Sequence, residues 1–278
     1  MSTDSTSSPV WFITGASSGI GLALARHALA EGERVVAAAR RLDRLTAELG
    51  ERSAQLLPLR LDVTDTDQVQ QGLAAAEDVF GGLDVLVNNA GYGLTAMAED
   101  VTKEQARALF ETNVFAPLDL VRNALPMLRA RGGRVVNVSS VGGAHAFPSM
   151  GLYAASKAAL ELYSEALDQE VRGLGVAVIV VQPGPYATEF GGAAHQVVPA
   201  SPPYAELQQK LAAMIAGAKF GDPADAARAI YAAARATDPP RRIVLGALAA
   251  GMARSAFSER LAEIDRTEEF TRLADGAG

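Results

Sequence analysis

Short, continuously apolar runs alternate along the chain with longer segments whose apolar residues recur at helical spacing. VWFIT (10–14) is the first run and stops at Gly15, and a helical pattern follows through Ala30. RVVAAA (34–39) predicts a second strand. QLLPLRLDV (55–63) predicts a third, weakened at its start by Pro58, which has no N–H for a ladder. Then come a helix over 65–80, a strand LDVLVN (83–88), helices within 102–130 and a strand RVVNVSS (134–140). A helix over 151–172 precedes the strand VAVIVVQ (176–182), and RRIVLG (241–246) is the candidate seventh strand. Strands without polar alternation are buried on both faces. The pattern therefore predicts an α/β protein with three layers, a doubly wound parallel sheet of about seven strands between helices. No linker divides the chain and no repeat is apparent. Residues 1–8 read as a disordered polar tail and 9–278 as a single domain. The Gly-, Ala- and Pro-rich segment 185–221, with a helix near 203–217, reads as an insertion above the sheet that acts as a substrate lid.

Composition removes several function classes. The 278 residues carry 25 basic and 32 acidic side chains, a net charge of −7, with no basic cluster beyond pairs such as Arg40-Arg41 and Arg241-Arg242. That argues against a nucleic-acid partner, whose phosphates need clustered cations. The chain has no cysteine, so disulfides, thiolate catalysis and cysteine-held metals are excluded. There is no secretory signal pattern and no apolar run long enough for a membrane span. A cytoplasmic protein with no membrane partner is expected. The three histidines, His27, His145 and His195, are scattered, and no metal is expected.

Candidate chemistry begins where the first strand ends, at TGASSGIG (14–21). Gly15 permits a tight exit, Gly19 a close backbone approach and Gly21 close packing of the next helix on the strand. A helix N-terminus offers free N–H groups and a positive dipole end to a pyrophosphate. Gly15, Ser17, Ser18, Gly19, Ile20 and Gly21 are thus candidate contacts of a dinucleotide in a Rossmann fold. A plain strand–helix turn is the alternative, since the spacing is GxxxGxG rather than GxGxxG. The second strand ends AAARRL: Ala39 stands where an acidic residue would select NAD, and Arg40 and Arg41 follow. A guanidinium pairs with a 2′-phosphate, so NADP is expected over NAD. The alternative is that both arginines begin a solvated helix.

Seven blocks in this order, TGASSGIG (14–21), LDVTD (61–65), NNAG (88–91), ETNVFAP (111–117), NVSS (137–140), YAASK (153–157) and PGPYAT (183–188), resemble the short-chain dehydrogenase/reductase family over about residues 10–190. The resemblance implies that Asp62 and Val63 border the adenine and that Asn89, Ala90 and Gly91 line the adenosine ribose and the sheet edge. It implies that Pro183, Gly184, Tyr186 and Thr188 border the nicotinamide. Tyr186 departs from the aliphatic residue more usual there. It also implies a catalytic tetrad of Asn113, Ser140, Tyr153 and Lys157, with Ser140 chosen over Ser139 because it lies thirteen residues before Tyr153. Asn113 would kink its helix and hold a water that links Lys157 to solvent, and Lys157 would also bind the nicotinamide ribose. An oligomer, a homodimer or homotetramer, is the family's common state.

The residues agree with that chemistry. Tyr153 and Lys157 are four apart on a helix and share one face. A neighbouring cation lowers a phenol's pKa toward the range where it exchanges protons with an alkoxide. Ser140, at a strand's carboxyl end, can donate to a substrate oxygen. Tyr92, Leu94, Phe147 and Phe190 suggest a pocket for an apolar or aromatic ketone or secondary alcohol. His145 faces either that substrate or solvent. The first reading is an NADP-dependent carbonyl reductase or alcohol dehydrogenase acting on a small molecule. A non-catalytic NADP-binding regulator on the same fold, and an epimerase or dehydratase using the same Tyr–Lys pair, are the competing readings.

Overall fold

The computed structural model describes residues 8–188, 195–216 and 219–275. Seven parallel strands form the sheet: β1 (Val10–Thr14), β2 (Arg34–Ala39), β3 (Leu56–Arg60), β4 (Val85–Asn88), β6 (Arg134–Val138), β7 (Ala177–Pro183) and β9 (Arg242–Leu245). Their order is β3-β2-β1-β4-β6-β7-β9. The chain winds outward from β1 in one direction through β3, then returns and winds the other way from β4. The reversal leaves a crevice between the carboxyl ends of β1 and β4, where open α/β sheets bind their ligands.

The central strands are buried on both faces, which is why their sequence is apolar without alternation. Trp11 and Ile13 of β1 pack into one core and Val10 and Phe12 into the other. The first core is covered by α1 (Gly19–Ala30), α2 (Leu42–Leu49) and α8 (Pro223–Arg235), through residues such as Leu24, Leu45 and Ile230. The second is covered by α3 (Thr66–Phe80), α5 (Ala116–Arg131) and α6 (Gly151–Val171), through Leu73, Leu120 and Leu167. This is the doubly wound three-layer fold expected. Pro58 lies in β3, and β3 pairs only with β2, so the missing N–H is tolerated at a sheet edge.

Smaller elements were not anticipated. β5 (Gly93–Thr95) pairs in parallel with β8 (His195–Val197) in a separate two-stranded ribbon. α4 (Lys103–Phe110) continues into a single π-helical turn, Glu111–Phe115, before α5. The helix expected at 203–217 is α7 (Ala205–Ala216), and α9 (Ala247–Arg266) and α10 (Glu268–Ala274) end the described chain. Of the expected tail only Ser8 lies within the described residues, and its carbonyl accepts from the Arg34 guanidinium. Among the described residues no helix is long and apolar enough to cross a membrane.

Candidate active site

Tyr153 and Lys157 occupy the first two turns of α6 and are each only 5% exposed. The Lys157 ammonium lies 5.9 Å from the centroid of the Tyr153 ring and donates to the Val138 carbonyl at 2.9 Å, at the carboxyl end of β6. Ser140 follows β6 in extended conformation. Its hydroxyl hydrogen-bonds Tyr153 and accepts from the Gly142 N–H at 3.0 Å. The adjacent Ser139 points elsewhere and donates to Glu161 at 2.6 Å. Geometry therefore separates the two serines as the thirteen-residue spacing does.

Burial dominates the acid–base state of the pair. It pushes the Tyr153 phenol up to about 12; the Ser140 bond opposes this and the Glu161 carboxylate adds to it. Burial also pulls Lys157 down to about 8, against the pull of Glu161, which favours the ammonium. The expected lowering of the phenol by its lysine neighbour is thus a correction. Two turns of one helix do place the groups together, but burial is the largest cause acting on the phenol and it acts upward.

Asn113 lies in the π-helical turn. An inserted residue of this kind swings a side chain out of the regular helical series, and such turns recur at functional sites. Its carboxamide accepts from the Tyr92 N–H at 3.1 Å and donates to the Tyr92 carbonyl at 3.0 Å and to Ser156 at 3.2 Å. The regular helix is interrupted here by the π-helical turn, and the side chain clamps the backbone that leaves β4. Gly91 makes this possible: a Cβ there would lie 2.9 Å from the Asn113 oxygen and 3.5 Å from the Lys157 Nζ.

The glycine turn is held from below. Thr14 donates to the Val87 carbonyl at 3.1 Å and accepts from the N–H groups of Asn89 and Ala90, both at 3.0 Å. The Asn89 amide donates back to the Thr14 carbonyl at 2.9 Å. Gly15 and Gly19 have φ of +65° and +57°, a left-handed conformation that costs other residues strain. A Cβ on Gly21 would sit 2.3 Å from the Asn89 amide nitrogen. Ser18 precedes α1 without capping it through its side chain, so the first N–H groups of the helix lack that partner.

A family model for short chain dehydrogenases matches residues 9–197. The chain belongs to the short-chain dehydrogenase family. It is 34% identical over 242 residues to an oxidoreductase of Botryotinia fuckeliana (strain B05.10), covering 85% of this chain and 88% of that one. A short-chain dehydrogenase from Streptomyces avermitilis superposes with a TM-score of 0.90 at 38% identity, over 99% of this chain and 100% of the other. Two further short-chain dehydrogenase structures hold different cofactors. One from Burkholderia cenocepacia is in complex with NADP, with a TM-score of 0.76 at 28% identity over 94% and 97% of the two chains. One from Burkholderia phymatum is in complex with NAD, with a TM-score of 0.76 at 26% identity over 89% and 92%.

In this short-chain dehydrogenase the remaining candidates divide. Arg40 and Arg41 are exposed at the end of β2, beside Ala39, which is 4% exposed. Asp62 accepts from the N–H and hydroxyl of Thr64, shaping the turn after β3, and Val63 packs on the second core. Pro183 ends β7, and the Gly184 N–H donates to the Leu245 carbonyl. Thr188 covers Gly19, where a Cβ would meet its Cβ at 3.1 Å. The Tyr186 ring packs against Gly221 and the first core. These residues fit a dinucleotide: a positive-φ turn and open helix N-terminus at one end, and Ser140, Tyr153 and Lys157 at the other.

Tyr92, Leu94, Met150, Leu152 and Val198 pack around Tyr153 and Leu109 as an apolar wall. Met150, Leu152 and Val198 carried no signal in the sequence beyond being apolar. His145 and Phe147 stack edge-on, with ring centroids 4.7 Å apart, and His145 lines a trough of about 470 Å³ against α9. His195 is closer to the wall than its sequence position suggested. It lies in β8, with Nε2 2.7 Å from the Thr95 hydroxyl, and burial lowers its pKa. Phe190 and part of the expected lid lie outside the described residues. The described part is tied to the body by Val198 to Thr95 and by Ser201 to Asp100.

Lys157 yields a stability prediction. Its folded pKa, about 8, is below its ordinary 10.5. Between those values the unfolded chain binds the extra proton, so this group's destabilisation is full below pH 8 and fades as pH rises toward 10.5. Lys157→Met should therefore stabilise the protein at pH 7, by about 3 kcal/mol at most, and the gain should shrink to under about 1 kcal/mol near pH 10. Urea denaturation of both proteins at the two pH values checks this; an equal difference at both would refute it.

Proposed function

We propose that this short-chain dehydrogenase is an NADP-dependent carbonyl reductase, with Tyr153 as the acid. The observation that carries this reading is the buried Ser140–Tyr153–Lys157 cluster at the carboxyl edge of the sheet, beside the crevice that the glycine turn borders. Residues of the glycine turn would hold the pyrophosphate, Lys157 the nicotinamide ribose, and the 183–188 segment the nicotinamide. Bound NADPH supplies the hydride that reduces the carbonyl carbon.

The chain's own groups handle the oxygen. Ser140 donates a hydrogen bond to the carbonyl and polarises it. Tyr153 gives its phenolic proton to the same oxygen as negative charge develops there, and the C=O double bond becomes an alcohol. The buried phenol carries its proton at neutral pH, the form that donation to the oxygen requires. The Lys157 ammonium then stabilises the phenolate until solvent returns the proton. The wall of Tyr92, Leu94, Met150, Leu152 and Val198 supports an apolar or aromatic ketone as substrate.

Preference for NADP rests on Arg40 and Arg41 next to Ala39. With no carboxylate at the end of β2, nothing there repels a 2′-phosphate. We also read the enzyme as a cytoplasmic homodimer or homotetramer; Phe115 and Leu162, 53% and 67% exposed near α5 and on α6, support an apolar contact between copies.

Tyr153→Phe should lower turnover of a responsive ketone by about 10²–10⁴-fold while NADPH binding, followed by fluorescence, persists; undiminished turnover would sink the mechanism. Arg40→Ala should raise the KM for NADPH by about tenfold and leave that for NADH near its starting value. An enzyme that prefers NADH from the outset would show that the end of β2 had been misread. Light scattering at micromolar concentration checks assembly, and a monomeric mass would remove the oligomer.

A further inference from the structure

Glu161 is a buried carboxylate that the reaction described above does not use. It is 5% exposed, on α6, one turn beyond Lys157 and two beyond Tyr153. Burying a carboxylate is costly unless it is paired and hydrogen-bonded. Here the partners come from three different strands. Ser139, just after β6, donates at 2.6 Å. The Gln182 amide of β7 donates to both oxygens at 2.9 Å. The Arg242 guanidinium of β9 pairs with Oε2 and also with Glu165. Gly143, in the turn after Ser140, closes over the group so tightly that a Cβ there would lie 2.2 Å from its Oε1.

Two of these partners adjoin residues of the proposed site, and Gly143 lies close to one of them. Ser139 precedes Ser140, Gln182 precedes Pro183 and Gly184, and Gly143 lies in the turn after Ser140. The charged groups around Glu161 are Lys157 and Glu165 on its own helix and Arg242 from β9. β6 and β7 offer it only the neutral Ser139 and Gln182. Two turns beyond Glu161, Asp168 is already paired with Arg172 and Arg241.

We propose that Glu161 is a positioning residue for the reductase reaction: its carboxylate fastens α6 to the ends of β6, β7 and β9, and serves as the counter-charge that keeps the buried Lys157 an ammonium. This rests on the proposed reaction for its purpose, but not for its test. A plain structural role would need the hydrogen bonds alone. The counter-charge role needs the negative charge as well, and Glu161→Gln separates the two. The amide keeps the shape and can still accept from Ser139, but it carries no charge.

The decisive measurement does not involve turnover. The chain has four lysines, Lys103, Lys157, Lys210 and Lys219. Labelling them with ¹³C at Cε gives four NMR titrations, and Arg substitutions at the other three positions leave Lys157 assigned. In the starting protein Lys157 should titrate near 8. In Glu161→Gln it should titrate lower by about one pH unit or more, with the other three unmoved. Arg242→Gln should move it the opposite way, because Glu161 loses its competing cation. This second variant decides the matter if the first does not fold. A Lys157 titration that stays in place in whichever variants fold overturns the proposal. The pH dependence of kcat should move with the NMR titration. If the starting enzyme reduces no carbonyl, the proposed function fails while the NMR result still decides on Glu161.

Discussion

The structure turns on keeping one ammonium out of water. Lys157 is buried on α6, where a cation is stable only if polar groups replace its hydration. The carboxyl edge of a parallel sheet provides one such group, the Val138 carbonyl, because strand ends present carbonyls that no helix or ladder has consumed. A second requirement is space. Gly91 stands 3.5 Å from the ammonium at the point where any side chain would intrude, and small residues fill the turn between Tyr153 and Lys157. The cost remains visible in the lysine, which is drawn down to about 8. The protein keeps a destabilising group beside Tyr153 and Ser140 at the carboxyl edge of the sheet.

One ribbon of backbone joins the two halves of the crevice. Residues 88–92 leave β4 at the reversal of strand order. At their start, Thr14 and the Asn89 amide bind them to the glycine turn. At their end, Asn113 grips both backbone groups of Tyr92 from its π-helical turn. Asn113 also bonds Ser156, which lies between Tyr153 and Lys157. An unbroken path of hydrogen bonds and backbone thus connects the glycine turn to the helix that carries the phenol and the ammonium. The polar side chains here bond mainly to backbone, and that fixes the path of the chain rather than adding much net stability.

What the sequence reveals follows from what kind of signal each part leaves. β1 and β2 match their apolar runs residue for residue, since a strand buried on both faces has no polar position to blur its ends. β5 and β8 are three residues each, too short for any periodicity, and their pairing spans a hundred positions. The spacing of Tyr153 and Lys157 reveals their contact but not their burial, so the sign of the phenol's shift came out wrong. Glu161 was missed for a related reason. On a helix of mixed composition a glutamate reads as solvated, and its burial depends on Gln182 and Arg242 arriving from distant strands. His195 carried no more than its chemistry until β8 brought it to Thr95.

The apolar wall has two effects that cannot be tuned separately. Leu94, Leu109, Met150 and Val198 shape the space in front of Tyr153, and Val198 is there because β8 pairs with β5. The same packing excludes water from the phenol, and that exclusion is the largest cause of its rise to about 12. A wall opened for a bulkier or more polar substrate admits water beside the hydroxyl and returns it toward its ordinary 10. The segment from β8 to α7 contributes Val198 to this packing and is tied to the body through Thr95 and Asp100.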